Sequence, residues 1–371
     1  MAEQATDING TDENGAGKSP AQRGGIKGIL TRVFLSEYFV LYLTVAYFLV
    51  VWIFVPWLGN ARNLSNILSN TWPLLAVAIG ETFVLIVAGI DLSQVSIMAV
   101  SSVASAAVFT SAVDPVLFAK SPLWGTVLTE QGGLLAGNPW AIPFAILLMA
   151  VIGISIGLIN GVSIAVFRMP PFIVTLVSFM LFGAVAIWLT KSENIMNLPE
   201  SYINISQDYA GVFSVSMAIA IGLAVLAHFI LSKTILGRWM YATGMNIETA
   251  RISGVPTRAV IIFAYAFSGF AASMGAVLYS SRLQAGRPVL GGLPLILEIV
   301  GANIIGGMSL AGGKGKVTWT FFGVLFFVVL SNTLNQMNLD SFTINVVKGG
   351  VILAAAIIDV TRNQLAGRVN T

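Results

Sequence analysis

The sequence predicts an all-α polytopic membrane protein of about ten transmembrane helices, and three observations carry that prediction. Of its 371 residues 56% are hydrophobic and only 9% charged, with a mean hydropathy of +0.87. A soluble domain carries roughly 25% charged residues, so this chain has too few to clothe a water-facing globule of its length. Its apolar runs recur near about 20 residues, the length that crosses ~30 Å of hydrocarbon, where a greasy soluble enzyme would show shorter core segments. Lysines and arginines gather in alternate connecting segments, as the positive-inside rule requires of a chain with many spans.

Taken in order, the spans are expected at 38–58, 73–90, 95–113, 140–167, 172–189, 212–231, 259–281, 294–311, 317–334 and 343–359. The second and third are joined by "DLSQ", which begins at Asp91, and the fourth and fifth by "RMPP". Pro170 and Pro171 force that second break, since proline lacks an amide hydrogen and the residue before it resists the helical region. With the N-terminus inside, Lys18, Arg23, Lys27, Arg32, Arg168, Lys233, Arg238, Arg251, Arg258, Lys314, Lys316, Arg362 and Arg368 are cytoplasmic. Only Arg62, Lys120, Lys191, Arg282 and Arg287 fall outside, and Lys348 falls within the last span. That bias places both termini in the cytoplasm. Residues 1–36 are polar and end in a basic stretch, which predicts a disordered tail with a juxtamembrane anchor for membrane lipid. The first apolar run starts too late and runs too long for a signal peptide. Residues 37–361 form the transmembrane domain, with a cytoplasmic segment at 232–258, and 362–371 form a cytoplasmic tail. Trp57, Trp72, Trp140 and Trp188 are expected at outer span ends, where amphipathic rings suit the headgroup layer. The outer loop at 190–211, with Glu193, Glu200 and Asp208, is the one placed to meet something outside.

Several chemistries are excluded. The chain has no cysteine and one histidine, so thiolate nucleophiles, Cys-ligated metals, His-rich metal clusters and Ser–His–Asp triads are out of reach. His228, inside an apolar run, is expected to be packed or to face a cavity. "GKS" at 17–19 lacks the P-loop glycine, having Asp12 in its place, and "GGKGK" at 312–316 fails likewise, so no ATP site is expected on this chain.

The fourth span carries Gly153, Gly157, Gly161 and Ala165 at four-residue intervals, and the seventh carries Ala264, Ser268, Ala272 and Ala276. Small residues let backbones approach closely in lipid, either for tight packing alone or to let helices slide. Ionisable groups within spans are few: Glu81, Glu298 and Lys348, with Asp91 and Asp359 at span ends. A charge there costs at least ~2.5 kcal/mol, so each must face protein or water. They serve a proton-coupled path, or Glu81 or Glu298 pairs with Lys348, or they are hydrogen-bonded supports. Glu81, Asp91, Glu298, Asn160 and Asn303 are the candidate path or gate residues. "ETFVLIVAGIDLS" from Glu81 and "EIVGANIIGGMSLAGG" from Glu298 echo each other, each running from an acid through an apolar helix to a break on the cytoplasmic side.

Between the sixth and seventh spans lies "GRWMYATGMNIETARISGVPTR", residues 237–258. Asn246 can cap a helix that Gly254 ends, leaving Ala250, Arg251 and Ser253 as a small, basic, hydrogen-bonding surface. Otherwise its arginines merely mark an inner loop.

Three stretches together carry a family resemblance: "AGIDLSQVSIMA" (88–99), "GLINGVSIAVFRMPPFIVTL" (157–176) and "GRWMYATGMNIETARISGVP" (237–256), followed by "ANIIGGMSLAGGKGKV" (302–317). Over nearly everything after the N-terminal tail the chain resembles the permease subunits of bacterial ABC importers for ribose and related monosaccharides. It departs at Ala88, where a glycine is usual, at Gln94–Val95, where Val–Gly is usual, and at Met245, where a glycine is usual. The resemblance implies a non-enzymatic permease of the ten-span type II ABC importer fold of the vitamin B12 importer class, in the bacterial inner membrane. It implies a dimer, of two like or two unlike permeases. Its expected partners are an ATPase subunit, which uses the ATP, and a periplasmic sugar-binding protein; no cofactor and no nucleic acid are expected. It places Gly237, Arg238, Asn246, Ala250, Arg251, Ser253 and Gly254 in a coupling segment that docks on the ATPase. The competing readings are an ion-coupled secondary transporter using Glu81 or Glu298, a membrane-embedded enzyme or scaffold, and a branched-chain amino acid-type ABC permease.

Overall fold

The computed structural model describes residue 36, residues 38–209 and residues 213–369, with backbone alone at 208–209 and 358–369. Of the expected N-terminal tail, residues 1–36, all but Ser36 lie outside the described residues. Twelve helices carry the fold: α1 Phe39–Phe54, α2 Ala61–Ile86, α3 Gln94–Phe109, α4 Ala141–Ala165, α5 Pro171–Thr190, α6 Val215–Lys233, α7 Ile235–Met245, α8 Ile247–Ile252, α9 Thr257–Leu283, α10 Gly292–Gly306, α11 Val317–Gln336 and α12 Ser341–Val369. One-turn helices at Pro115–Phe118 and Glu200–Ile203 and two small antiparallel hairpins occupy the connections. Each of the ten expected spans contains a helix, and α12 runs on as helix to Val369, into the segment expected as a C-terminal tail.

Six helices (α2, α4, α5, α6, α9 and α11) are long and apolar enough to cross a membrane, while α1, α3, α10 and residues 341–357 are shorter apolar helices. The chain is a multi-pass membrane protein. α2 is buried from Thr71 to Ile86, whereas α4, α5 and α6 turn most of their apolar surface outward. The core therefore sits around α2.

α2 begins at Ala61 rather than near 73. Asn60 caps it by accepting the Arg62 N–H at 3.1 Å. In its polar first turns Asn63 faces inward, donating to Leu58 O at 3.0 Å and to Asn332 Oδ1 at 2.9 Å and accepting from Gln336 at 2.8 Å, while Arg62, Asn66 and Asn70 are exposed. This early start corrects the expectation for Trp72, which lies inside the bundle, while Trp57, Trp140 and Trp188 are exposed as expected.

The glycine row of α4 lies directly on α9. A Cβ at Gly153 would collide with Gly269 O, one at Gly157 with Tyr265 O, and one at Gly161 with Ile262 Cα. These backbones touch because nothing stands between them. The small-residue row of α9 turns the other way, with Ser268 and Ala271 against Gly80 of α2.

The loop at 190–211, expected outside, is fastened to the end of α9: Tyr202 Oη meets Ser280 Oγ at 2.7 Å, and Ser206 Oγ donates to Leu278 O at 3.1 Å. His228 is exposed on α6, neither packed nor in a cavity, because it falls on that helix's outward face with Val225 and Phe229.

Candidate transport site and coupling segment

At one end of the bundle two breaks converge with α7. After α2 the chain turns through Val87–Ser93 before α3 starts, with Ala88 in the left-handed region (φ 61°). Glycine adopts that conformation freely, and alanine does so at a cost. The segment after α10 folds against this turn: Gly313 N–H donates to Ile86 O at 2.9 Å, and a Cβ at Gly312 would crowd Ala88. α7 closes the group, its Tyr241 Oη donating to Gly315 O at 2.8 Å. Burial raises the Tyr241 hydroxyl above its ordinary pKa, so it remains a donor. The echoing stretches from Glu81 and Glu298 thus end in breaks that touch.

Beside the breaks opens a cavity of about 1080 Å³, bounded by Ala88 and Gly89, the ends of α4 and α5 around Arg168, α8 with Asn246 and Arg251, and Tyr265 of α9. α8 stands on its rim. Asn246 Oδ1 accepts the Thr249 N–H at 2.9 Å, and Gly254, at φ 83°, ends the turn. Arg251, ion-paired to Glu248 within α8, is exposed with Ile252 and Ser253. Ala250 is buried, correcting the expectation that it helps form the surface: its small side chain lets α8 lie flat. Gly237 is buried where a Cβ would strike Leu231 O, so it permits the tight turn from α6 into α7, and Arg238 is exposed.

The expected path residues separate into three places. Glu81 and Asp91, ten positions apart in sequence, meet because the break folds back: Asp91 N–H donates to Glu81 Oε1 at 3.3 Å. Asp91 also accepts from Ser93 N at 3.0 Å, Ser93 Oγ at 2.5 Å and Ser268 Oγ at 2.7 Å. Asn160 of α4 joins this cluster, donating to Ser93 Oγ at 2.9 Å and accepting from Ser178. Asn303 stands elsewhere, fully buried between α2, α10 and α11: it donates to Ala78 O and Ile299 O and accepts from Thr82 and Thr320 at 3.0 and 2.8 Å. Its burial and saturation make it a cross-link between helices. Glu298 is ion-paired to Lys348 and accepts from Ser331 at 3.2 Å, tying α10 to α12 and α11.

Sequence reasoning missed Ser93, Gln94, Ser178, Tyr265 and Ser268 as members of the cluster. Gln94 carried a signal, as a polar departure beside the "DLS", and Ser268 was the polar member of the α9 row.

A family model described as "Branched-chain amino acid transport system / permease component" matches residues 63–356. The chain belongs to this permease family. The ribose import permease protein of Haemophilus influenzae is 31% identical over 301 residues, covering 80% of this chain and 84% of that protein. Its counterpart in Bacillus subtilis is 32% identical over 303 residues, with the same coverage. The L-arabinose ABC transporter permease protein of Azospirillum brasilense is 28% identical over 354 residues, 93% of each chain. No solved structure matches the permease significantly. These relatives are transport proteins, and the permease is not an enzyme.

Proposed function

We propose that the permease forms the membrane path of an ATP-driven importer for a monosaccharide or related polyol. The arrangement of α8 carries the reading: a capped, solvent-facing single helix on a cavity rim, joined through the tight Gly254 turn to the central helix α9. An ATPase subunit grips Arg251, Ser253 and the exposed face of α7 at Arg238, and its closure moves α9. The permease's own sequence holds no ATP site, so the fuel is burned by the partner.

The cargo class is supported by the relatives, whose names speak of ribose and L-arabinose over most of the chain. A sugar crossing hydrocarbon must exchange hydration for other hydrogen bonds. A periplasmic binding protein delivers it to the outer loops, and two permeases, in the ten-span arrangement of the type II class, enclose the path. The breaks, α7 and α8 face the cytoplasm, as do both termini, with residues 37–361 embedded in the inner membrane; the basic residues of these segments support that side. Residues 1–36 and 362–371 are its cytoplasmic tails.

Uptake of a labelled sugar into proteoliposomes, with the ATPase and binding protein supplied, tests this. Arg251→Glu combined with Gly254→Pro should abolish ATP-dependent uptake while the permease stays inserted. Full uptake by that double variant, or uptake without any ATPase, would refute the reading.

A further inference from the structure

The two carboxylates beneath the first break are both fully buried, but they are unequally served. Asp91 collects donors from Ser93 and Ser268 on both of its oxygens. Glu81 receives the Asp91 N–H alone, at 3.3 Å on Oε1, and its Oε2 reaches no partner. Among the described residues no lysine, arginine or histidine numbers among the groups acting on either.

Two neighbouring side chains, each 1% exposed, are also left with an unpartnered oxygen: Tyr265 Oη and Gln94 Oε1. Tyr265 Oη presses on Gly89, two residues before Asp91, and lies within electrostatic reach of both carboxylates. The Gln94 amide is oriented by its Nε2, which donates to Ser268 Oγ at 2.8 Å and to Val77 O at 3.3 Å, so its free atom is the carbonyl oxygen. Ser268 therefore bridges Gln94 to Asp91, and Glu81, Asp91, Gln94, Ser268 and Tyr265 belong to one cluster.

Buried oxygens without partners are costly, and buried carboxylates without counter-charge more so. A proton on Glu81 would quench its charge by adding one O–H, which meets only one of the other two free oxygens. One hard cation takes lone pairs from all three free oxygens and cancels the charge that hydrogen bonds do not hold. A single uncompensated carboxylate calls for a single positive charge. We propose that this cluster is an alkali-metal ion site, in which Na⁺ or K⁺ is held by Glu81, Gln94 and Tyr265 beside Asp91. The ion enters from the adjoining cavity, which Tyr265 and Gly89 line, and pins the end of α2 to α9. It is retained rather than transported, so the proposal stands independently of cargo and motor.

Radiolabelled ²²Na⁺ and ⁸⁶Rb⁺ (for K⁺) binding to the purified permease in nanodiscs tests it, with N-methylglucamine chloride holding ionic strength constant. One of the two ions should bind saturably, one per chain, and raise the thermal unfolding midpoint by several degrees as it is added. Glu81→Gln should weaken binding by about 10–100-fold, Tyr265→Phe should weaken it measurably, and Glu193→Gln on the outer loop should leave it unchanged. Absence of saturable binding by either ion, a midpoint that responds to pH but to neither ion, or undiminished binding by Glu81→Gln overturns the site. If Glu81→Gln yields no folded protein, Tyr265→Phe and Gln94→Met decide in the same assay, and wild-type binding by both overturns it.

Discussion

Glu81 and Thr82 are neighbours on α2, and they serve two polar clusters of opposite character. Thr82 joins Asn303 and Thr320, where the amide uses both its donors and its acceptor and the two hydroxyls meet at 2.7 Å. Glu81 joins Asp91, Gln94, Ser268 and Tyr265, where three oxygens lack partners. The first cluster is closed and neutral, and it locks α2, α10 and α11 together. The second is open and acidic, and it lies where α2 gives way to the break. In a low-dielectric interior a satisfied polar network rigidifies, while an unsatisfied one demands something more. The permease thus carries a closed neutral network and an open acidic one a single residue apart.

The comparison can be broken or sharpened by substitution. The largest effect is expected from Gly153→Val, which drives a branched side chain into Gly269 O and lifts α9 off α4, disrupting the open cluster through Ser268 and Tyr265. Overpacking of this kind costs ~3 kcal/mol or more, read as loss of folded protein in size-exclusion chromatography and a collapsed thermal midpoint. Asn303→Ala should cost about 2–3 kcal/mol in chemical unfolding, because Thr82, Thr320 and Ala78 O lose their shared partner. Ser268→Ala, in the open cluster, should cost about 1–2 kcal/mol, since one donor to Asp91 disappears from a site already short of partners. If Ser268→Ala proved costlier than Asn303→Ala, the contrast between closed and open clusters would be lost.

Smaller effects concern the surface. Arg251→Glu should change stability by no more than about 0.5 kcal/mol, because Arg251 and Glu248 are both exposed, yet it should lower ATP-dependent uptake severely. Least of all is a pH effect at Asp340, whose carboxylate accepts from Phe342 and Thr343 at the start of α12 and so has its pKa lowered below the ordinary aspartate value. Its support is complete above the unfolded-state value near ~3.9 and is lost as pH falls through the lower folded value. Hydrogen exchange at Phe342 and Thr343 should therefore quicken, relative to the rest of α12, only at the acid end of the range.

Helices of lipid-facing character were the most legible part of the sequence. α4, α5 and α6 start and stop within a few residues of the expected bounds, because hydropathy reports what a helix shows on its outward face. α2 resisted that logic: its first three turns, "ARNLSNILSN", are polar, yet Asn63 and Ser69 among them are buried, and Asn63 is satisfied by Asn332 and Gln336 from α11. A hydropathy profile cannot distinguish polar side chains in water from those bonded inside a bundle. The Asn246 cap and the Gly254 stop were readable from residue type alone, since both are local. The partners of the intramembrane acids were not, because Lys348 could meet Glu81 or Glu298 and only the packing of α10 against α12 selects the latter. The meeting of Glu81 with Asp91 depends on a turn whose shape rests on a strained Ala88, beyond the reach of any periodic pattern.

α9 has an uninterrupted length of 27 residues, ~40 Å at 1.5 Å per residue. One end follows α8 directly after the Gly254 turn; the other is latched by Tyr202 and Ser206 beneath the outer loop. A rod clamped at both tips and bedded on bare backbone bends little. A displacement of its α8 end is therefore carried to the Tyr202 end as a shift of the whole rod, with no relay of intermediates.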